Sequence, residues 1–299
     1  MSQWVQLRIQ AKAAQVEACE NALLALGALS VTLQDNADQP ILEPELGTTP
    51  IWDDTQIIGL FDAETHTDAV VEQFPLMFAA EGGSGPVDLL WEQVEDKDWV
   101  RAWMDTYKPM QFGPRLWVCP SWCKPPQPDA VNLMLDPGLA FGTGTHPTTA
   151  LCLRYLDEQI QGNELVVDFG CGSGILGMAA LLLGASSMVG IDIDPQALTA
   201  TRDNAQRNDI APERFEVYLP PQAPAIQADV TVANILAGPL NELAPVLAQL
   251  TRAGGKLALS GLLSQQADEV IQRYNEWFVM DTPKQQEDWV IISGTRRQG

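Results

Sequence analysis

The stretch Asp168-Phe169-Gly170-Cys171-Gly172-Ser173-Gly174 sets three glycines at alternate positions behind the apolar run Leu165-Val166-Val167. Glycine lets a backbone turn sharply and come close to a ligand. The carboxyl end of a strand is where open α/β sheets bind small molecules. Asp192 ends the next apolar run, where its carboxylate is able to accept both hydroxyls of a ribose. Asn234 ends a third run, Ala228 to Ala233. Its amide oxygen and nearby carbonyls suit an amine, whose lone pair they would aim at a reacting carbon. Upstream, Leu133 to Thr149 gathers four threonine hydroxyls and the His146 imidazole around Gly142 and Gly144.

Each feature has a competing reading. The glycine loop could be a tight turn with no ligand. Gly172, Gly174 and Gly177 also match G-x-G-x-x-G, and Asp192 follows Gly172 by 20 residues, as in a nicotinamide dinucleotide site. Against that, the loop starts earlier, at Asp168 and Gly170, and the chain closes on strand–helix–strand–strand rather than on a second nucleotide-binding half. An Asn at a strand end is elsewhere a simple turn former. His146 suits either a helix cap or a proton acceptor. His66, in Thr65-His66-Thr67, reads as a surface residue. Cys119 and Cys123 lack a second pair or a nearby His, so no metal site is expected. Cys171 is expected to pack inside the glycine loop, without a nucleophilic role.

The elements that must position these residues fall into two groups. In the N-terminal third, Val5–Ile9, Leu29–Leu33, Ile57–Phe61 and Val87–Val94 read as strands, and Ala13–Leu26 and Thr67–Ala80 as helices. The order β-α-β-β-α-β is that of a ferredoxin-like split unit. Asp96 to Tyr107 spaces Trp99, Trp103 and Tyr107 as a helix would, giving a linker helix over 96–108. The Pro-rich Lys124–Asp129 is a turn-rich connector. From Glu164, strands alternate with helices, as in a parallel sheet covered on both faces.

Charge divides the chain in the same way. It carries 39 acidic and 17 basic residues in 299, a net of −22. Residues 1–106 hold 19 of the acids and 4 of the bases, a net of −15. So acidic a chain repels bare nucleic acid and anionic membrane, so neither is an expected partner. No apolar run approaches the ~18 residues of a membrane span, and Met1–Gln10 does not resemble a signal peptide. The 5 cysteines form no paired framework, as befits a reducing cytoplasm.

Asp168-x-Gly170-x-Gly172-x-Gly174 with Asp192 resembles the first two motifs of class I methyltransferases. In those enzymes the loop holds the methionine part of S-adenosylmethionine and the second acid holds the ribose. Asn234 resembles the acceptor-site residue of amino-group methyltransferases, although Ile235-Leu236-Ala237-Gly238-Pro239 lacks their double proline. Together with Leu133–Thr149, Gly190-Ile191-Asp192-Ile193-Asp194-Pro195, Asn234-Ile235-Leu236-Ala237 and Glu95-Asp96-Lys97-Asp98-Trp99, the chain resembles the ribosomal protein L-eleven methyltransferase family (PrmA) over essentially its whole length.

That resemblance implies a Rossmann-like class I methyltransferase domain over 109–299, with a doubly wound, mostly parallel seven-stranded sheet. It implies a small ferredoxin-like substrate-recognition domain over 1–95, joined by the 96–108 linker. The implied reaction methylates lysine side chains and the N-terminal amine of ribosomal protein L-eleven, free or before assembly, by a monomer. Thr149, Gly170, Asp192 and Asn234 fall on the family's cofactor contacts, Gly172 is a further backbone contact, and Asn234 is the catalytic residue. Another protein or a small amine as substrate, or a cofactor-binding module without catalysis, are the competing expectations. A small substrate would not require the N-terminal domain.

Overall fold

Along Trp4–Lys12 (β1), the odd-numbered Leu7, Ile9 and Ala11 are buried and their even-numbered neighbours are not, the period of a strand with one covered face. The computed structural model describes residues 4–37, 39, 41, 48–94, 107–136 and 144–298. The expected linker helix lies outside them except for Tyr107 and Lys108. The chain divides into two compact units, residues 1–104 and 105–299.

In the first unit, β1 is followed by Val16–Ala25 (α1), Ser30–Asp35 (β2), Asp54–Asp62 (β3), Thr67–Ala80 (α2) and Asp88–Val94 (β4). The sheet order is β2-β3-β1-β4, with every adjacent pair antiparallel. This is the split β-α-β arrangement that the element order predicts. Leu7, Ile57 and Phe61 pack with Leu23 of α1 and Phe74 and Phe78 of α2 in one core.

The second unit opens with Met110–Phe112 (β5), Leu116–Cys119 (β6) and Val131–Met134 (β7), a three-stranded sheet that the sequence pattern did not reveal. β6 and β7 are parallel, which needs a crossover, and the Pro-rich connector supplies it. Then come Pro147–Gln159 (α3), Leu165–Phe169 (β8), Ile175–Leu183 (α4), Ser187–Ile191 (β9), Pro195–Arg207 (α5), Phe215–Tyr218 (β10) and Ala228–Asn234 (β11). Ala237–Leu250 (α6), Thr251–Leu263 (β12), Ala267–Tyr274 (α7), Phe278–Met280 (β13), Lys284–Gln286 (β14) and Trp289–Arg296 (β15) complete it.

The main sheet runs β10-β9-β8-β11-β12-β15-β13, seven strands side by side, and β14 adds an eighth by pairing with β15. β8 to β12 are mutually parallel with β10, and β15 is antiparallel to β12. Consecutive residues of β8 face opposite cores, Val166 toward α3 and α4 and Val167 toward α6 and α7. The sheet is therefore covered on both faces. The order runs outward from β8 to β9 and β10, then returns to β11 on the other side of β8. That reversal opens a crevice beyond the carboxyl ends of β8 and β11.

Candidate active site

The glycine loop leaves β8 at this crevice. Gly170 and Cys171 donate their amides to Ile191 O at 2.7 and 3.2 Å, which ties the loop to the end of β9. Gly170, Gly172 and Gly174 all have left-handed φ, at 74°, 53° and 79°, a region that side chains rarely tolerate. α5 grips the loop from behind. Thr201 Oγ1 donates to Gly172 O at 3.1 Å, and Asn204 Nδ2 donates to Ser173 O at 3.0 Å. A methyl on Gly174 would come within 2.6 Å of Thr201 Cγ2.

Two carboxylates bracket the loop. Asp192, just past β9, accepts Gly172 N at 2.8 Å through Oδ2 and Asp194 N at 3.0 Å through Oδ1. It is half-buried, and each oxygen retains a second lone pair. Asp168 is 1% exposed, and its Oδ2 accepts Gly177 N at 2.8 Å in the first turn of α4. Its Oδ1 is buried with no partner among the described residues. Burial pushes this carboxyl up to about 7; the Gly177 hydrogen bond opposes the shift and the nearby Asp192 charge adds to it. Cys171 is buried inside the loop as expected, and burial raises its thiol to about 12.

Asn234 ends β11 level with the loop, since Ala233 is in register with Phe169. Its Nδ2 donates to Thr149 Oγ1 at 3.3 Å. Its Oδ1 is buried with no hydrogen-bond partner among the described residues. The following residue is held tightly. A methyl on Gly170 would approach Ile235 Cγ2 to 2.4 Å, and one on Gly261 would approach Ile235 O to 2.4 Å.

Thr149 is fully buried in the first turn of α3. His146 caps that helix: its Nδ1 accepts Thr148 N at 3.4 Å and lies 2.7 Å from Thr148 Oγ1. The capping reading of this histidine is thus realised. Burial lowers the His146 pKa, while the charge of Glu287 acts in the opposite direction. The ring meets Trp289 edge-on, with centroids 4.8 Å apart.

The structure therefore brings Gly170, Gly172, Asp192 and Asn234 to the ends of adjacent parallel strands, with Thr149, in the first turn of α3, against Asn234. Comparison with known proteins narrows what this crevice is for. The family model described as "Ribosomal protein L11 methyltransferase (PrmA)" matches residues 3–297. The chain belongs to that family. A "Ribosomal protein L11 methyltransferase" of Cellvibrio japonicus is 56% identical over 293 residues, 98% of each chain. One of Pseudomonas aeruginosa is 57% identical over 294 residues, covering 98% of this chain and 99% of its own. A crystal structure of "ribosomal protein L11 methylase" from Lactobacillus delbrueckii subsp. bulgaricus superposes with a TM-score of 0.56 at 31% identity, covering 64% of this chain and all of its own.

Several residues of this family member's site escaped the sequence reading. Thr201 and Asn204 are polar residues on the buried face of α5, and a polar pair three apart in an otherwise apolar stripe was the available signal. Ile235, against Gly170, and Trp289, against His146, come to this region only through the fold. His66 is exposed, as expected. Cys119 is buried and Cys123 partly so, both as free thiols. Among the described residues no group of three or more His, Cys, Asp and Glu is arranged to hold a metal, and no helix is long and apolar enough to cross a membrane.

Proposed function

We propose that this chain transfers methyl groups from S-adenosylmethionine to lysine side chains and the N-terminal amine of ribosomal protein L11. The observation that carries this reading is Asn234 Oδ1, a buried acceptor without a partner among the described residues, at the end of β11 beside the glycine loop. An unsatisfied buried acceptor costs about 1–3 kcal/mol, and an amine N–H would relieve it.

The residues present fit the cofactor. A Cβ at Gly170 or Gly174 would collide with Ile235 or Thr201, so glycine is what lets the loop pack this closely and hold its left-handed turns beside the strand ends. Gly170 and Gly172 would line the methionine part, with Thr149 beside them. Asp192 has lone pairs left for ribose hydroxyls. When bound, S-adenosylmethionine supplies an electrophilic methyl carbon. This chain must orient an amine toward it and exclude water. Lysine's pKa near 10.4 means the amine must lose a proton before transfer, and partial burial beside Asn234 favours the neutral form. With Asn234 Oδ1 accepting an amine hydrogen, the nitrogen lone pair is free to point at the methyl carbon.

The acidic N-terminal domain, residues 1–95, is proposed as the part that recognises the substrate. Complementary charge speeds the encounter with a lysine-rich protein. On this reading the enzyme works as a monomer on free L11, before assembly, in the cytoplasm, where free thiols persist. The net charge of −22 argues against direct grip on ribosomal RNA. The test is incubation with labelled S-adenosylmethionine and unmethylated ribosomal proteins, followed by mass spectrometry. Label on L11 lysines and its N-terminus is expected. Label only on small amines, or on another protein, would overturn the assignment.

A further inference from the structure

β15 runs antiparallel to β12, so its first residues stand at the carboxyl end of the parallel strands, the edge that carries the crevice. The turn leading into β15 is Glu287-Asp288, between the paired Gln286 and Trp289. Register places Val290, three residues after Glu287, relative to Asn234. Asn234 lies opposite Ser260, and Ser260 Oγ donates to Val290 O at 2.8 Å. Two strand spacings therefore separate Asn234 from Val290, roughly 10 Å.

This turn is held in place. Arg154 of α3 donates to Gln286 at 2.6 Å, and Lys284 pairs with Glu158 of α3 at 2.7 Å. Trp289 packs on His146. Those contacts engage the basic side chains around the hairpin, and among the described residues no Lys or Arg pairs with Glu287. Glu287 is exposed, yet its φ is 55°. The other two non-glycine residues with positive φ among the described ones are Asn163 and Asp209, types that tolerate the left-handed region, whereas Glu does not. The two-residue turn between the paired Gln286 and Trp289 demands it, so this hairpin fixes where the Glu287 backbone stands.

Resting on the methyltransferase reading above, we infer that Glu287 is a specificity-determining residue that receives the substrate's lysine ammonium at the rim of the crevice before the amine reaches Asn234. At neutral pH the incoming lysine is charged. A carboxylate without a cation of its own selects that side chain over neutral ones, and the proton can leave to solvent before the amine settles against the amide. The influence of Glu287 on His146 agrees with its position at the rim.

The test uses the full-length enzyme with unmethylated L11 and S-adenosylmethionine, comparing Glu287→Gln, Glu287→Asp and Asp288→Asn with the parent. Glu287→Gln is expected to raise KM for L11 about two- to fivefold, the effect of one exposed charge pair, and to narrow that gap as salt rises. Its kcat, its KM for S-adenosylmethionine and its melting temperature should stay at the parent values. Glu287→Asp should recover most of the loss. An unchanged KM for L11, an equal rise in Asp288→Asn, or matching losses in cofactor binding and melting temperature would each overturn the inference. Labelling of L11 by the parent enzyme separately upholds or removes the underlying reading, so the two failures are distinguishable.

Discussion

Gly174→Ala probes whether the glycine loop is fixed by α5 or merely shaped by its own turns. Two costs add at this position. The residue has a φ of 79°, and holding an L-residue in the left-handed region costs about 1–2 kcal/mol. The new methyl would also sit 2.6 Å from Thr201 Cγ2 and 2.9 Å from Thr201 Oγ1. Thr201 cannot swing away freely, because it is fully buried and its hydroxyl holds Gly172 O. Overpacking of this kind costs about 1–3 kcal/mol. The sum, about 2–5 kcal/mol, lowers the melting temperature of a unit of this size by about 4–20 °C.

Gly162→Ala provides the control. It has a φ of 124°, and nothing lies within 4 Å of the added carbon, so it bears the backbone cost alone. Thermal denaturation followed by circular dichroism, on the same preparations, gives both losses. Thr201→Ser removes Cγ2 and keeps the hydroxyl, so the double variant with Gly174→Ala should recover about 0.5 kcal/mol or more relative to additivity. If Gly174→Ala costs no more than Gly162→Ala, or if the cycle is additive, α5 does not brace the loop and the reasoning fails.

Asn234→Ala should lower kcat by more than it weakens S-adenosylmethionine binding, because the amide is proposed to orient the amine when the methyl moves; equal losses in both would confine it to cofactor contact. Asp192→Ala should weaken S-adenosylmethionine by about 1.5–3 kcal/mol in calorimetry, and binding at the parent affinity would remove the ribose assignment. The pKa of Asp168 is about 7 in the folded chain against a reference of 3.8, so the native state keeps a proton that the unfolded state has released between those values. Its contribution to stability therefore falls as pH rises from about 4 to about 7. Asp168→Asn should flatten that part of a denaturation-versus-pH curve, and an unchanged slope would show that the carboxyl is not displaced.

The central strands were legible because Leu165–Asp168, Met188–Asp192 and Asp229–Asn234 are apolar runs that end on a polar residue, and both sheet faces are covered. The strands that escaped are short or polar. β5 has three residues, β10 four, and β14 reads Lys-Gln-Gln, which carries no period at all. The glycine loop and Asp192 could be read from spacing, since a tight turn and a strand end are local events. Thr201 and Asn204 could not be assigned to the loop, because their contacts bridge 29 and 31 residues and depend on how α5 lies against β9 and β10. His146 was half-legible. Pro147 after it marks the start of a helix, but the presence of Trp289 over its ring follows from the antiparallel turn of β15 alone.

The side-chain amide of Asn234 has two ends, and on the proposed reading the end that meets an incoming amine decides whether the site helps or hinders. An amine that is to be methylated offers hydrogens and must keep its lone pair uncommitted, so it needs an acceptor. In this structure Thr149 takes the other end. Its hydroxyl receives Nδ2 of Asn234, which leaves Oδ1 as the remaining end, buried and without a partner among the described residues. Were the amide reversed, its NH2 would face the amine donor to donor. Thr149 in turn cannot rotate far, because it is fully buried in the first turn of α3, beneath the His146 cap. On the proposed reading, the amide that meets the amine is therefore held by a partner at the start of a helix that belongs to neither flanking strand. If Asn234 receives the amine as proposed, Thr149→Val should lower kcat through the amide it contacts, and an unchanged kcat would show that the contact does not matter to transfer.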